Sequence, residues 1–228
     1  MRKLILFDID GTLLRDGGAA ERVFDQAFSD LFAVPEASAG IDKHGRTDLE
    51  ICRDAAHQAI GRDLRPDEIQ ALQERYVHLL PNALAACETF QVLPGVATLC
   101  ADLARDDRVL LGLQTGNMET AAWAKLRRAK LADYFAFGGF GSDSPDRAAL
   151  VRTAINRGRT LAPVDAKAIY VVGDAPGDIH AGRRNQVHTV AVGTGLTGLE
   201  TLRALQPDFL LPDLSDAARF KRLLGLAA

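Results

Sequence analysis

The sequence predicts a doubly wound α/β fold: a Rossmann-like parallel sheet core with an α-helical cap domain inserted after its first strand. Three observations carry this. Short apolar runs alternate with helical patterns over most of the chain, as in βαβ units. Residues 19 to 86 keep helical periodicity without a convincing strand. Three of the apolar runs end in clusters of Asp, Thr and Gly, the residues expected where strand ends face a ligand crevice.

Taken in chain order, the first strand is expected over Lys3 to Ile9. In the inserted stretch, Phe24, Ala27, Phe28, Leu31 and Phe32 form one apolar stripe. A second helix is expected from Thr47, with Glu50 at capping-box spacing, and a third from Pro66, kinked or ended by Pro81. Gly17 with Gly18, and Gln91 to Gly95, read as linkers, so the core is drawn as residues 1–15 and 92–228 and the cap as 16–91. Further strands are expected over Val109 to Thr115, Ile169 to Gly173, His188 to Val192 and Phe209 to Leu211. Helices are expected over Val96 to Arg105, Glu119 to Ala129, Asp146 to Arg157, Ile179 to Asn185 and Thr201 to Leu205. Ser144-Pro145 and the Thr197/Glu200 pair mark two of the helix starts.

Composition narrows the function classes. The 228 residues are 47% hydrophobic and 25% charged, with a formal net charge of −3, as in ordinary globular proteins. Residues 16 to 91 carry 14 acids against 7 bases, the remainder 16 against 20. Neither part offers the concentrated basic face that nucleic acid requires. Cys52, Cys87 and Cys100 are odd in number and form no C-x-x-C, which disfavours a disulfide framework or zinc site. The first apolar run, Leu4 to Phe7, is stopped by Asp8, short of a signal-peptide core, and no run reaches membrane-spanning length. A cytoplasmic protein with no membrane or nucleic-acid partner is expected; oligomeric state is left open.

The chemistry concentrates at the strand ends. Phe7-Asp8-Ile9-Asp10-Gly11-Thr12 sets two carboxylates at i and i+2. One can attack phosphorus to give an aspartyl phosphate, while the second protonates the leaving oxygen and then deprotonates the attacking water. Alone, the same residues serve equally as a turn. Gln114-Thr115-Gly116-Asn117 supplies a hydroxyl and an unhindered amide at a helix N-terminus, which favours a phosphate, although alone it is more often a capped loop. Gly173-Asp174-Ala175-Pro176-Gly177-Asp178 adds two carboxylates four residues apart, suited to Mg²⁺ with a phosphate oxygen and waters. Acid, hydroxyl and acid at three strand ends of one crevice are hard to explain as turns.

With these motifs the chain resembles the haloacid dehalogenase-like hydrolase superfamily, and within it the phosphoglycolate phosphatase-like members with a helical cap. Asp-Ile-Asp-Gly-Thr matches the first motif, Thr115 the second, and Asp174 with Asp178 the fourth. The resemblance implies Asp8 as nucleophile and magnesium ligand, and Asp10 as acid/base with its carbonyl on the metal. It implies Thr115 as phosphoryl holder, Asp174 as magnesium ligand, and Asp178 as its support. The third motif departs from the usual lysine. Lys125 and Lys130 lie only 10 and 15 residues after Thr115, and Lys167 only 7 before Asp174, whereas Arg147 lies 32 after and 27 before. Arg147 is therefore expected in that role, as a permanent charge with a bidentate fork. His44-Gly45-Arg46-Thr47 in the cap is expected to turn Arg46 toward the far end of the substrate. The five histidines share no metal-ligand spacing.

The expected activity is Mg²⁺-dependent hydrolysis of a small-molecule phosphate monoester. The alternatives are a phosphomutase using the same intermediate, or a catalytically weakened phosphate-binding protein on this fold. Asp10, a general acid that a dehalogenase does not need, counts against dehalogenation.

Overall fold

The computed structural model describes residues 1–226. Its sheet has six parallel strands, β1 (Arg2–Phe7), β4 (Val109–Thr115), β5 (Gly138–Phe140), β6 (Val164–Gly173), β7 (His188–Val192) and β8 (Phe209–Leu211), in the order β5-β4-β1-β6-β7-β8. Strand β1, with its apolar run Leu4 to Phe7, is central, and its alternation sorts the two faces. Ile5 and Phe7 pack with Leu99, Leu103 and Phe220, from α4 (Val96–Ala104) and α9 (Ala217–Leu223). Leu4 and Leu6 pack with Val151 and Ile155 of α6 (Arg147–Leu161) and Ala181 of α7 (Pro176–Arg184). Because these six strands are parallel, the carboxyl ends of β1, β4 and β6 open on one edge; Asp8 and Asp174 directly follow β1 and β6, and Thr115 ends β4.

Between β1 and β4 the chain forms α1 (Ala19–Phe32), α2 (Asp48–Ile60) and α3 (Pro66–Ala86). They share a second core, with Phe28, Ala55, Leu72, Tyr76 and Leu80, which also takes in Met118 and Ala121 at the start of α5 (Glu119–Arg128). Two short strands, β2 (Leu14–Arg15) and β3 (Gln91–Val92), pair antiparallel where the chain leaves and re-enters the sheet domain. The inserted helical cap is thus present, seated on α5. Thr47 caps α2 as its spacing implies: the Glu50 amide donates to Thr47 Oγ1, and the Thr47 amide donates to the Glu50 carboxylate.

Several local expectations give way to packing. Pro81 does not end α3, which continues to Ala86; Leu80 and Leu84, both buried in the cap core, hold that turn helical. The Thr197/Glu200 box does not form. The helix there, α8 (Leu199–Ala204), has Gly198 at its N-cap and no side-chain cap, because Thr197 Oγ1 is bonded to His44 Nε2 at 2.7 Å instead. α6 is capped by Asp146, whose carboxylate accepts from the Ala148 amide, rather than by Ser144. The strand β5, Gly-Gly-Phe, was invisible to propensity; Gly139 lies where any Cβ would strike the Leu150 backbone.

Candidate active site

Asp8 directly follows β1, its amide donating to Val172 O at 2.9 Å. The turn after it is closed by the Gly11 amide donating to Leu14 O, and Gly11 sits at φ 78° with no room for a Cβ beside Asp174. That close approach gathers three carboxylates. Ligand atoms of Asp8, Asp174 and Asp178, all buried, lie within 4.8 Å of one another. Thr12 Oγ1 donates to Asp174 Oδ1 at 2.8 Å. Asp178 is fully engaged: its Oδ1 accepts from Arg147 Nη2 at 2.5 Å and Gln114 Nε2 at 2.8 Å, and its Oδ2 from the Ala175 amide at 2.9 Å. This makes Asp178 a turn-former and an anchor for arginine at once.

Arg147, first residue of α6, reaches into the cluster. Its Nη2 is 2.9 Å from Asp8 Oδ2, and its Nη1 donates to Gly45 O of the cap loop at 3.3 Å. Burial works against its charge, but Asp178 and Asp8 raise it well above its ordinary range, so it stays a cation. Burial pushes Asp8 up to about 7; Arg147 opposes this, while Asp178 and Asp10 add to it. Burial, with Asp8 and Asp178 alongside, pushes Asp174 up to about 8. One guanidinium does not balance three carboxylates, and an all-oxygen, anionic, buried donor set of this kind fits a hard divalent cation.

These shifts have a stability consequence. A carboxyl whose folded pKa lies above its unfolded value holds a proton in the fold that the unfolded chain has released. Its favourable contribution is complete below about pH 4 and is lost as pH rises through about 7 to 8. The metal-free protein should therefore melt several degrees lower at pH 8 than at pH 5, and added Mg²⁺ should raise Tm more at pH 8. A metal-free Tm that holds or climbs over that interval, measured by calorimetry in chelator, would contradict this electrostatic picture.

Asp10, two residues on, is half-exposed. Its Oδ2 accepts from Asn117 Nδ2 at 2.7 Å and from Lys125 Nζ at 2.6 Å. Thr115 Oγ1 is fully buried and accepts from Asn117 Nδ2 at 2.8 Å. Gly116 lies directly beneath the Arg46 carbonyl, with no space for a Cβ, and its own carbonyl accepts from the Asp48 amide at 2.8 Å. The cap loop thus rests on the second strand end.

Lys125 corrects the sequence reading, which set it aside on spacing. It is buried, bonded to Asp10 and to Asn117 Oδ1 at 2.8 Å, and 3.2 Å from Asp16. Burial opposes its charge, yet Asp10 and Asp16 raise it far above the usual lysine range. The signal was its position: Ala121, Ala122, Lys125 and Leu126 form the buried stripe of α5, and a lysine in such a stripe must find an anionic partner. The other two lysines weighed beside Arg147, Lys130 and Lys167, are exposed.

Asp8, Asp10, Thr115, Gly116, Asn117, Asp174, Arg147 and Arg46 all line one cavity of about 490 Å³ between the strand ends and the cap. Arg46 differs from expectation in its partners. Its guanidinium is engaged by Asp54 Oδ2 at 2.7 Å and Asp42 O at 3.1 Å, both within the cap. His44, given no role from spacing, has Nδ1 4.0 Å from Asp174 Oδ2.

Residues 2–185 match a family of hydrolases described as haloacid dehalogenase-like. Among solved structures, a predicted phosphoglycolate phosphatase from Haemophilus somnus 129pt is 19% identical, with 96% of this chain and 98% of that one covered at a TM-score of 0.71. A hydrolase from Pseudomonas syringae is 19% identical over 100% of both chains, with a TM-score of 0.70. A candidate beta-phosphoglucomutase from Bacteroides vulgatus is 18% identical over 98% of this chain and 89% of that one, with a TM-score of 0.69. At these identities the likeness is one of fold. No curated protein matches the chain.

Proposed function

Because the chain belongs to the haloacid dehalogenase-like hydrolase family, we propose that it hydrolyses a small organic phosphate monoester through an aspartyl phosphate on Asp8. The observation that carries this reading is the pairing of Asp8, held against Arg147 beside two more carboxylates, with Asp10, held instead by Lys125 and Asn117. Two carboxylates in different surroundings suit two different roles.

In the first step an Asp8 oxygen attacks phosphorus in line, and the ester oxygen leaves with a proton from Asp10. In the second, Asp10 takes a proton from water as that water attacks phosphorus, releasing inorganic phosphate and restoring Asp8. Lys125 and Asn117 fix Asp10 in place for both transfers. Thr115, with Gly116 and Asn117, faces the phosphoryl oxygens. Arg147 offsets the charge of Asp8 and lies on the phosphoryl side. Asp8, Asp174 and the Asp10 carbonyl would hold Mg²⁺, with Asp178 behind them orienting Arg147. Such an ion would neutralise the carboxylates and the phosphoryl oxygens.

We set the division between core and cap at 15/16, at the end of β2, and at 91/92, in β3. The cap loop, through Gly45 O on Arg147 and the Asp48 amide on Gly116 O, covers the phosphoryl side and excludes water. The partner in this reading is a small metabolite. Among the described residues no helix is long and apolar enough to cross a membrane, and the three free cysteines suit a reducing cytoplasm.

The test is phosphate release from acetyl phosphate and a panel of metabolite phosphates. Turnover should vanish in excess chelator and return with Mg²⁺. Full activity with no bound metal would remove the metal from the reading. Isomerised sugar phosphate without inorganic phosphate would replace hydrolysis by a mutase, and binding without turnover would leave a phosphate-binding protein.

A further inference from the structure

The reading above assigns the strand-end half of the cavity and leaves the cap half unexplained. Among the cap residues that line it, Phe24, Leu49, Cys52, Ile69, Leu72 and Tyr76 are apolar and stand beside the polar Glu21 and Gln73. Leu49 and Cys52 are one turn apart on α2, and Ile69, Leu72 and Tyr76 run i, i+3, i+7 along one face of α3. Two helices therefore present apolar stripes to the cavity rather than to solvent.

The cations that line the cavity are engaged within the protein. Lys125 is held by Asp10, Asp16 and Asn117. Lys43 is held by Glu21 and the carbonyls of Ser38 and Ile41. Arg46 is held by Asp54 and Asp42 O, and Arg15 donates to Thr194 O. Arg147 is committed to Asp8 and Asp178. The acids Asp10, Asp16 and Asp48 also line the space. A carboxylate or second phosphate on the leaving group would meet apolar walls and like charge, with no unengaged lysine or arginine among the described lining residues to receive it, and His44 already bonded to Thr197. A two-carbon acid would also leave most of a cavity of about 490 Å³ without contacts.

We propose that the substrate is the phosphate monoester of an uncharged, mainly apolar alcohol, alkyl or aryl, whose hydrocarbon part lies against α2 and α3. The proposal rests on the phosphatase reading and adds the leaving-group class to it. It also reverses the expectation attached to Arg46, which the structure uses to brace the loop against α2.

The experiment measures kcat/KM with Mg²⁺ for acetyl phosphate, phosphoglycolate, and ethyl, butyl, hexyl and phenyl phosphates. Acetyl phosphate reports the chemistry with little demand on the cap wall. The alkyl series should climb about fourfold per methylene buried, so hexyl phosphate, four methylenes longer, should exceed ethyl phosphate by about 250-fold, and phosphoglycolate by a similar factor. Ile69→Lys, at a half-buried position, should cut the hexyl-to-acetyl ratio at least about tenfold. Turnover of acetyl phosphate with a flat alkyl series, or with phosphoglycolate preferred over hexyl phosphate, overturns the apolar leaving group and leaves the phosphatase standing. An unchanged ratio in Ile69→Lys also overturns it. No turnover of acetyl phosphate removes the phosphatase reading, and the proposal with it.

Discussion

Asp8→Asn should yield a folded protein that releases phosphate at least about 10⁴-fold more slowly than the parent, whatever the ester supplied. The amide keeps the shape of the side chain but cannot form a stable acyl phosphate, and it withdraws one anionic donor from the metal cluster. Folding should survive for a reason visible in the site. Asp8 is placed by its backbone, through the amide bond to Val172 O, and its ionised form is disfavoured by burial, which pushes it up to about 7. Removing that charge relieves Asp174 and Asp178, and Arg147 retains Asp178 as a partner. At pH 8 without metal, the variant should therefore melt at or above the parent's temperature. Calorimetry and phosphate release check the two halves separately. A well-folded Asp8→Asn protein with turnover within tenfold of the parent would refute covalent catalysis.

Arg147→Ala should lower kcat/KM by about 10² to 10³, the usual loss when one preorganised charge is removed from a site where charge develops. It should also destabilise the metal-free protein by about 3 kcal/mol, because Asp8 and Asp178 lose a buried counter-charge. Arg147→Lys should recover part of the rate, since it keeps the charge but loses the fork that spans Asp8 and Asp178 while reaching Gly45 O. Mg²⁺ should restore more stability to Arg147→Ala than it adds to the parent, because both supply positive charge to the same carboxylates. Kinetics and melting with and without Mg²⁺ measure each quantity. Normal turnover in Arg147→Ala beside an inactive Lys125→Ala would move the phosphoryl-balancing charge from α6 to α5.

Much of this protein is legible in its sequence, and what is legible is local. The apolar run of β1 and its sharp stop at Asp8, the stripe of α1 through Phe24, Ala27, Phe28 and Phe32, and the Thr47/Glu50 cap of α2 depend on residues within a turn or two of each other; Leu31, expected in that stripe, is instead exposed, outside the cap core. Periodicity and capping chemistry therefore report them directly. Parallel strands place their carboxyl ends on one edge, so Asp8, Thr115 and Asp174 were expected to converge, and they line one cavity. Where propensity competed with packing, packing prevailed: Pro81 stays inside α3 and Gly-Gly-Phe forms β5.

What only the tertiary structure decided is which charges meet. Spacing weighed Lys125 and Arg147 as rivals for one role, because a distance along the chain says nothing about two cations approaching a site from different helices. The fold gives each its own acids: Lys125 meets Asp10 and Asp16, Arg147 meets Asp8 and Asp178. Thr197 carries a local capping pattern, yet its hydroxyl is bonded to a histidine 153 residues away. Arg46 lines the cavity, but Asp54, in the second turn of the helix that follows its loop, holds its guanidinium. In each case a buried or half-buried polar group takes the partner that best offsets its lost hydration. That partner is chosen by the packing of whole elements, which no local pattern encodes.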